Sequence, residues 1–114
     1  LSAAVKDCDY IIHVASPIPM GTPEDEERDV IQPAIKGNEY ILKACVGSSV
    51  KKIVITSSAL TIADQKKGAG TVDESQFAEL NDDMSAYYVS KIKAEAFAFE
   101  FMKNLPEKDR TFEL

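Results

Sequence analysis

The 114-residue sequence has no tryptophan, one histidine and two cysteines, and no apolar run close to the roughly 20 residues that cross a bilayer. Cys8 and Cys45 form no CxxC or Cys/His spacing, which argues against a disulfide framework, a zinc site or a redox motif. Each lies in an apolar segment, so we expect both to be small buried hydrophobic residues. These features predict a cytoplasmic protein with reduced thiols, no membrane segment and no metal site.

Positive charge and glycine are also scarce. Thirteen Lys and Arg against nineteen Asp and Glu give a net charge of −6, so we expect no nucleic-acid partner. The five glycines form no GxxGxxG turn, and Gly68 and Gly70 lie in a polar loop without the strand that such a turn follows. The acidic run 24–27 predicts a solvated helix start, because neighbouring carboxylates on a helix point in different directions and bind metal poorly.

Two short apolar runs predict buried strands. Residues 9–15 (DYIIHVA) and 51–56 (KKIVIT) are rich in β-branched or aromatic types and too short for helices. The segment between them is long enough for a helical crossover, which predicts that the two strands are parallel and the crossover right-handed. Composition, at 45% apolar and 28% charged residues, fits one globular unit.

The crossover segment carries start, interruption and stop signals for a helix. Thr22 followed by Pro23 predicts the helix start, with Thr22 as the cap. Apolar residues keep helical spacing from about 29 to 46, and Gly47 is placed to end the helix. Pro33 and Gly37 interrupt this pattern, which predicts one kinked helix or two short ones.

The second half of the chain predicts a loop, a helix and a further strand. Residues 61–83 are polar and read as a long surface loop with one helical turn near 77–80. Ser85 predicts the cap of a helix at Ala86–Asn104, and a third strand is predicted from Thr111. The order predicts an α/β fold, a doubly wound parallel sheet whose ligand crevice lies at the carboxyl ends of the strands.

Candidate catalytic residues lie at those strand ends and on the last helix. Tyr87 and Lys91 are four residues apart, so they share one helix face, and a nearby ammonium favours the phenolate that acid/base chemistry needs. Ser58 follows the second strand, where a hydroxyl can stabilise developing charge on a substrate oxygen. Alone, the pair also fits an amphipathic surface feature, and the serine a strand-ending turn.

Four segments occur together in order: HVASP after the first strand, VIQPAIKGNEYILKAC on the interrupted helix, KKIVITSSA at the second strand, and YYVSK after the loop. This succession resembles the extended short-chain dehydrogenase/reductases, in particular the dihydroflavonol reductase, cinnamoyl-CoA reductase and 3β-hydroxysteroid dehydrogenase-like group. Such a fold is an NAD(P)-binding, Rossmann-like sheet. Two departures concern the scaffold: residues 37–40 read GNEY where relatives often have GTxN, and Phe77 stands where tryptophan is common.

The resemblance implies roles for the candidate residues. Tyr87 would be the general acid/base, Lys91 would favour its phenolate and hydrogen-bond the nicotinamide ribose, and Ser58 would polarise the carbonyl. Tyr88 is the competing phenol, but it lies three residues from Lys91 instead of four. Cofactor-binding residues would be Tyr87 and Lys91 again, together with Val14, Ala15 and Ser16. His13 is expected to be a packed strand residue beside the cofactor, not a base.

We therefore expect an NAD(P)H-dependent oxidoreductase that reduces a ketone or aldehyde of a small organic substrate, or oxidises the alcohol. NADP is the expected cofactor, and NAD remains possible. A nucleotide-sugar epimerase or dehydratase uses the same residues, although HVASP differs from the HxAA common there. A non-enzymatic alternative is a dinucleotide-binding Rossmann regulator, although such proteins usually lose the Tyr or Lys.

The resemblance also implies a partial domain. Residues 1–114 would lack the N-terminal glycine-rich βαβ unit and the C-terminal substrate lobe, so we expect these residues alone to be inactive. The helix at Ala86–Asn104 is apolar around much of its circumference, which suggests packing against a second copy in a homodimer.

Overall fold

The computed structural model describes residues 1–62 and 70–114. Three helices and two strands follow one another as α1 (Ser2–Val5), β1 (Tyr10–His13), α2 (Gln32–Cys45), β2 (Lys52–Ile55) and α3 (Ala86–Asn104). A π-helical turn at Glu27–Ile31 leads into α2, and single 3₁₀ turns occupy Ala59–Thr61 and Glu107–Asp109. In the described part of the chain no helix is long and apolar enough to cross a membrane.

The two strands are parallel, as the crossover length predicts. Tyr10 pairs with Lys52 and His13 with Ile55. Next to β2, the Ile53 amide donates to the Glu113 carbonyl at 2.9 Å, and the Glu113 amide donates to the Lys51 carbonyl at 2.9 Å. The strand predicted from Thr111 therefore takes its place beside β2, but only as an isolated parallel bridge.

The prediction of two fully buried strands is wrong for one face of the sheet. Ile53 is fully buried, whereas Tyr10 is 69% and Ile12 is 73% exposed. Successive strand residues point to opposite faces, and α2 and α3 both pack against the face that carries Ile53. One layer of helices can bury only alternate residues, so both strands are more exposed than their apolar runs indicate. Both are also shorter, at four residues each.

The helix before α2 begins later than Thr22, so the predicted cap is wrong. Asp25 is the residue that caps: its side chain accepts from the Arg28 amide at 2.9 Å, and its own amide donates to the Asp29 carboxylate at 3.2 Å. The irregularity predicted at Pro33 takes the form of the π turn, in which the Gln32 amide reaches back to the Glu27 carbonyl. Because proline has no N–H, it fits the first turn of α2 that follows.

Helix α3 has the predicted bounds, and the Ser85 hydroxyl accepts from the Tyr88 amide at 3.4 Å. Residues 70–83 form the expected loop, while residues 63–69 of that prediction lie outside the described chain. The helical turn expected near 77–80 is absent; the short turn forms after Ser58 instead. A serine that precedes a compact turn can accept hydrogen bonds from the amides of that turn. Residues 77–80 form no such turn.

The core lies where α2, α3 and the covered sheet face meet. Its fully buried members are Leu42, Cys45, Val50 and Ile53. Burial raises the pKa of the Cys45 thiol, which agrees with a packed hydrophobic role, while Cys8 is half-buried. Through this core α3 packs across the carboxyl end of the sheet, and the candidate residues are found there.

Candidate active site

The carboxyl ends of β1 and β2 meet α3 at one point. The Thr56 amide donates to the His13 carbonyl at 2.9 Å, which joins the two strand ends. The Thr56 carbonyl in turn accepts from the Lys91 Nζ at 3.3 Å. A residue of α3 is thereby attached to the turn that leads from β2 to Ser58.

Lys91 is a buried cation beneath a phenol ring. The residue is only 6% exposed, and its Nζ lies 5.8 Å from the centroid of the Tyr87 ring. Burial lowers the pKa of Lys91 because removal from water disfavours the ammonium form. The structure thus brings two of the predicted catalytic residues together and places the charge close to the ring.

The accessibility of the two neighbouring tyrosines agrees with the choice between them. Tyr87 is half-buried, whereas Tyr88 is 6% exposed and packs inward. A group that exchanges a proton with a substrate must reach the cleft, and a helix turns adjacent residues about 100° apart. Tyr87 is therefore the more accessible of the two phenols.

Ser58 lies at the start of the turn after β2. Its Oγ accepts from the Leu60 amide at 3.3 Å and caps the 3₁₀ turn Ala59–Thr61. The strand-ending turn that the sequence allowed as an alternative is therefore formed. Accepting from an amide does not use the hydroxyl proton, so this capping is compatible with donation to a ligand oxygen.

One cavity of about 290 Å³ lies between the strand ends and α3. Ala15, Ser16 and Lys91, all predicted to contact the cofactor, line it. Its described wall does not include Val14, Ser58 or Tyr87, and Val14 is largely exposed. The structure therefore gathers part of the predicted set around one cavity and leaves the serine and the phenol outside its described wall.

The chemistry of this wall fits a nicotinamide ribose. Lys91 has three N–H donors, and a carbonyl 3.3 Å away accounts for one, so donors remain for ligand hydroxyls. Ala15 and Ser16 are small, which allows a flat ring to approach the backbone after β1.

His13 is a strand residue, as expected, and packs against α2. A Cβ at Gly37 would lie 3.7 Å from its Nε2, which shows how closely the helix approaches. Nε2 is buried and has no hydrogen-bond partner within residues 1–62 and 70–114. Burial lowers the pKa of His13, and the nearby positive charge of Lys91 lowers it further. The ring is therefore held neutral.

Sequence reasoning missed three polar residues beside Ser58. The Ser57 hydroxyl donates to the Glu95 carboxylate, and the Thr61 Oγ1 lies 3.0 Å from Glu95 Oε2. Glu95 is also part of the cavity wall. The spacing of Glu95 could have indicated its position. Tyr87, Lys91 and Glu95 follow one another at intervals of four residues, and such residues share one helix face.

A model of the 3-beta hydroxysteroid dehydrogenase/isomerase family matches residues 1–104. An anthocyanidin reductase of Vitis vinifera is 38% identical over 108 residues, covering 87% of this chain and 32% of that protein. A dihydroflavonol 4-reductase of Arabidopsis thaliana is 36% identical over 105 residues, covering 86% of this chain and 27% of that protein.

A solved structure shows the same fold. The yeast methylglyoxal/isovaleraldehyde reductase Gre2, complexed with NADPH, superposes with a TM-score of 0.82 at 28% identity, over 97% of this chain and 35% of that one. The partial Rossmann-like fold predicted from the sequence is thereby confirmed. The chain spans about a third of the length of these relatives.

Proposed function

The chain belongs to the 3-beta hydroxysteroid dehydrogenase/isomerase family, and from that premise we propose that its protein is an NADPH-dependent reductase of small ketones or aldehydes. Membership also confirms the resemblance to extended short-chain dehydrogenase/reductases. The observation that carries the proposal is the buried Lys91 ammonium, held to the end of β2 and lying beneath the Tyr87 ring. A cation buried at such a strand end costs free energy, which a catalytic role would explain.

In this proposal Tyr87 is the general acid/base. Its hydroxyl gives a proton to the carbonyl oxygen as the carbonyl is reduced, and takes it back in the reverse direction. The positive charge of Lys91 favours the phenolate left behind, and its burial strengthens that effect because little water screens it. The Ser58 hydroxyl donates to the same substrate oxygen and stabilises the charge that develops there.

The residues that would hold the cofactor are Tyr87, Lys91, Val14, Ala15 and Ser16. The free donors of Lys91 would bind the ribose hydroxyls, and the segment after β1 would line the nicotinamide. NADPH when bound would supply the hydride that no protein group here can provide. Support for NADPH over NADH comes from the Gre2 structure, whose cofactor it is.

The test is turnover by the full-length product of the gene that encodes this chain. Tyr87→Phe should lower kcat by about 100-fold or more with a panel of small aldehydes and ketones, because the proton donor is lost. NADPH binding, measured by quenching of protein or cofactor fluorescence, should persist, because Lys91 and residues 14–16 keep their contacts with the cofactor. Stoichiometric consumption of NADPH would distinguish a reductase from an epimerase, which consumes none.

Tyr88→Phe is the matched control, since it removes the neighbouring hydroxyl and keeps that of Tyr87. It should keep most of the turnover. Near wild-type activity in Tyr87→Phe, or no NADPH consumption by the wild type with any carbonyl of the panel, would refute the proposal.

We also propose a cytoplasmic homodimer that packs through α3. The rings of Phe97 and Phe101, one helical turn apart on α3, form a half-buried pair with centroids 6.2 Å apart. Such apolar area on one helix favours burial against a second copy. Light scattering at micromolar concentration should give twice the monomer mass, and a monomer would refute the dimer.

A further inference from the structure

Glu95 is a residue of α3 that forms hydrogen bonds with the segment around Ser58. Its carboxylate accepts from the Ser57 hydroxyl, one residue before Ser58. The Thr61 Oγ1, at the end of the same turn, lies 3.0 Å from Glu95 Oε2 and 2.8 Å from the Ser58 carbonyl oxygen. The single Thr61 proton serves one of these acceptors at a time, so Glu95 competes with the turn's own carbonyl for it.

Lys91 makes a further polar contact between α3 and this segment. Lys91 binds the Thr56 carbonyl on one side of Ser58, and Glu95 binds hydroxyls on both sides. Because Glu95 follows Lys91 by four residues, the two side chains lie one helical turn apart on the same face. Both also line the 290 Å³ cavity.

We infer that Glu95 is a positioning residue that holds the Ser58 turn at a fixed distance from Tyr87 and Lys91. This inference rests on the proposed function, since it gives Ser58 and Tyr87 a shared substrate oxygen. A hydrogen-bond donor stabilises developing charge only when it is placed within a fraction of an ångström of the productive position. The turn Ala59–Thr61 is a single 3₁₀ turn, too short to hold that position by its own hydrogen bonds.

Both hydroxyls meet Glu95 at the same carboxylate oxygen, Oε2. In Glu95→Gln they meet a neutral amide oxygen instead, and hydrogen bonds to an ionised acceptor are roughly twice as strong as those between neutral groups. Both contacts should then weaken while the shape of the side chain is kept. Glu100→Gln is the matched control: it makes the same change on an exposed residue of α3, whose carboxylate accepts from the neighbouring Asn104 side chain.

The experiment measures three quantities in the full-length protein. In Glu95→Gln, kcat should fall by about tenfold or more, while the dissociation constant for NADPH stays at the wild-type value. Hydrogen exchange at the amides of residues 60–62 should become faster. Glu100→Gln should leave all three unchanged. A double substitution, Ser57→Ala with Thr61→Val, should lower kcat similarly, and adding Glu95→Gln to it should have little further effect.

The outcomes separate this inference from the proposed function. Unchanged exchange at residues 60–62 in Glu95→Gln would overturn the attachment itself, whatever the activity. Faster exchange with wild-type kcat would overturn the positioning role and leave Glu95 a purely structural residue. A wild-type protein that reduces no carbonyl would refute the proposed function, and faster exchange in Glu95→Gln would still support the attachment.

Discussion

The side-chain amide of Asn38 on α2 donates a hydrogen bond to the main-chain carbonyl of Ala94 on α3, at 2.9 Å. Both residues are buried, and Ala94 lies on α3 between Lys91 and Glu95. One polar contact thus fixes the rotation of α3 against α2 at the level of the candidate site. An amide buried between helices is tolerated when it is hydrogen-bonded, and it is costly to remove.

Asn38→Ala is expected to lower the free energy of unfolding by about 2 kcal/mol, because a buried hydrogen bond is lost and a small cavity is left. Urea denaturation of the purified full-length protein measures this. Asn104→Ala is the control, since Asn104 is exposed at the end of α3 and should change stability by about 0.5 kcal/mol or less. Equal effects of the two substitutions would show that the Asn38 contact does not stabilise the fold.

Lys91→Met is expected to raise stability and abolish activity. The thioether fills the same space without the cost of a buried ammonium, so without cofactor the free energy of unfolding should rise by about 1 kcal/mol. Turnover should fall by about 100-fold or more. Lys93→Met is the control, because Lys93 is only partly buried and makes a long surface ion pair of 3.9 Å with Glu27. A lower denaturation midpoint for Lys91→Met would show that the contacts of Lys91 outweigh its burial.

Stability should fall on acidification partly because of His13. Its pKa is lowered in the folded protein from an ordinary value of 6.5, so as pH falls the unfolded chain binds this proton first. The free energy of unfolding therefore decreases from about the ordinary pKa downward, and the loss levels off below the folded pKa. His13→Gln, which cannot titrate, should lose less stability between about pH 7.5 and about pH 5. Identical losses in both proteins would contradict this, and denaturation at the two pH values is the measurement.

Gly47→Ala should destabilise the end of α2. Gly47 has φ +72, a left-handed conformation in which a Cβ is strained, although nothing lies within 4 Å of one. The cost should therefore be about 1 kcal/mol and come from the backbone alone. Gly21→Ala is the control, because that glycine also has open space and no positive φ. Thermal unfolding of both variants distinguishes them, and a neutral Gly47→Ala would contradict the argument.

Local signals sufficed for α3. Ser85 before the helix and Leu105-Pro106 after it are a cap and a stop that act within a few residues, so the bounds Ala86–Asn104 could be predicted. The start of the earlier helix could not, because Thr22 and Asp25 are both acceptable caps in sequence. Asp25 is chosen by its reciprocal contacts with Arg28 and Asp29, which exist only once the chain has folded.

The candidate site was likewise predictable where it depends on local spacing and not where it depends on contacts between distant residues. Helical spacing alone puts Tyr87 and Lys91 on one face, and the order of segments indicated the family. Spacing did not show that Lys91 is buried or that Glu95 binds beside Ser58, because the partners of those contacts lie 35 and 38 positions away along the chain. No periodicity relates residues so far apart.

The sequence by itself determined the two strands, the bounds of α3, the order of these elements and the parallel crossover, since these follow from periodicity, caps and connection length. Tertiary structure decided which sheet face is covered and which polar groups meet at the strand ends. The physical reason is that burial and long-range hydrogen bonds depend on how α3 packs across β2. That packing is set jointly by the apolar core and by contacts such as Asn38 with Ala94.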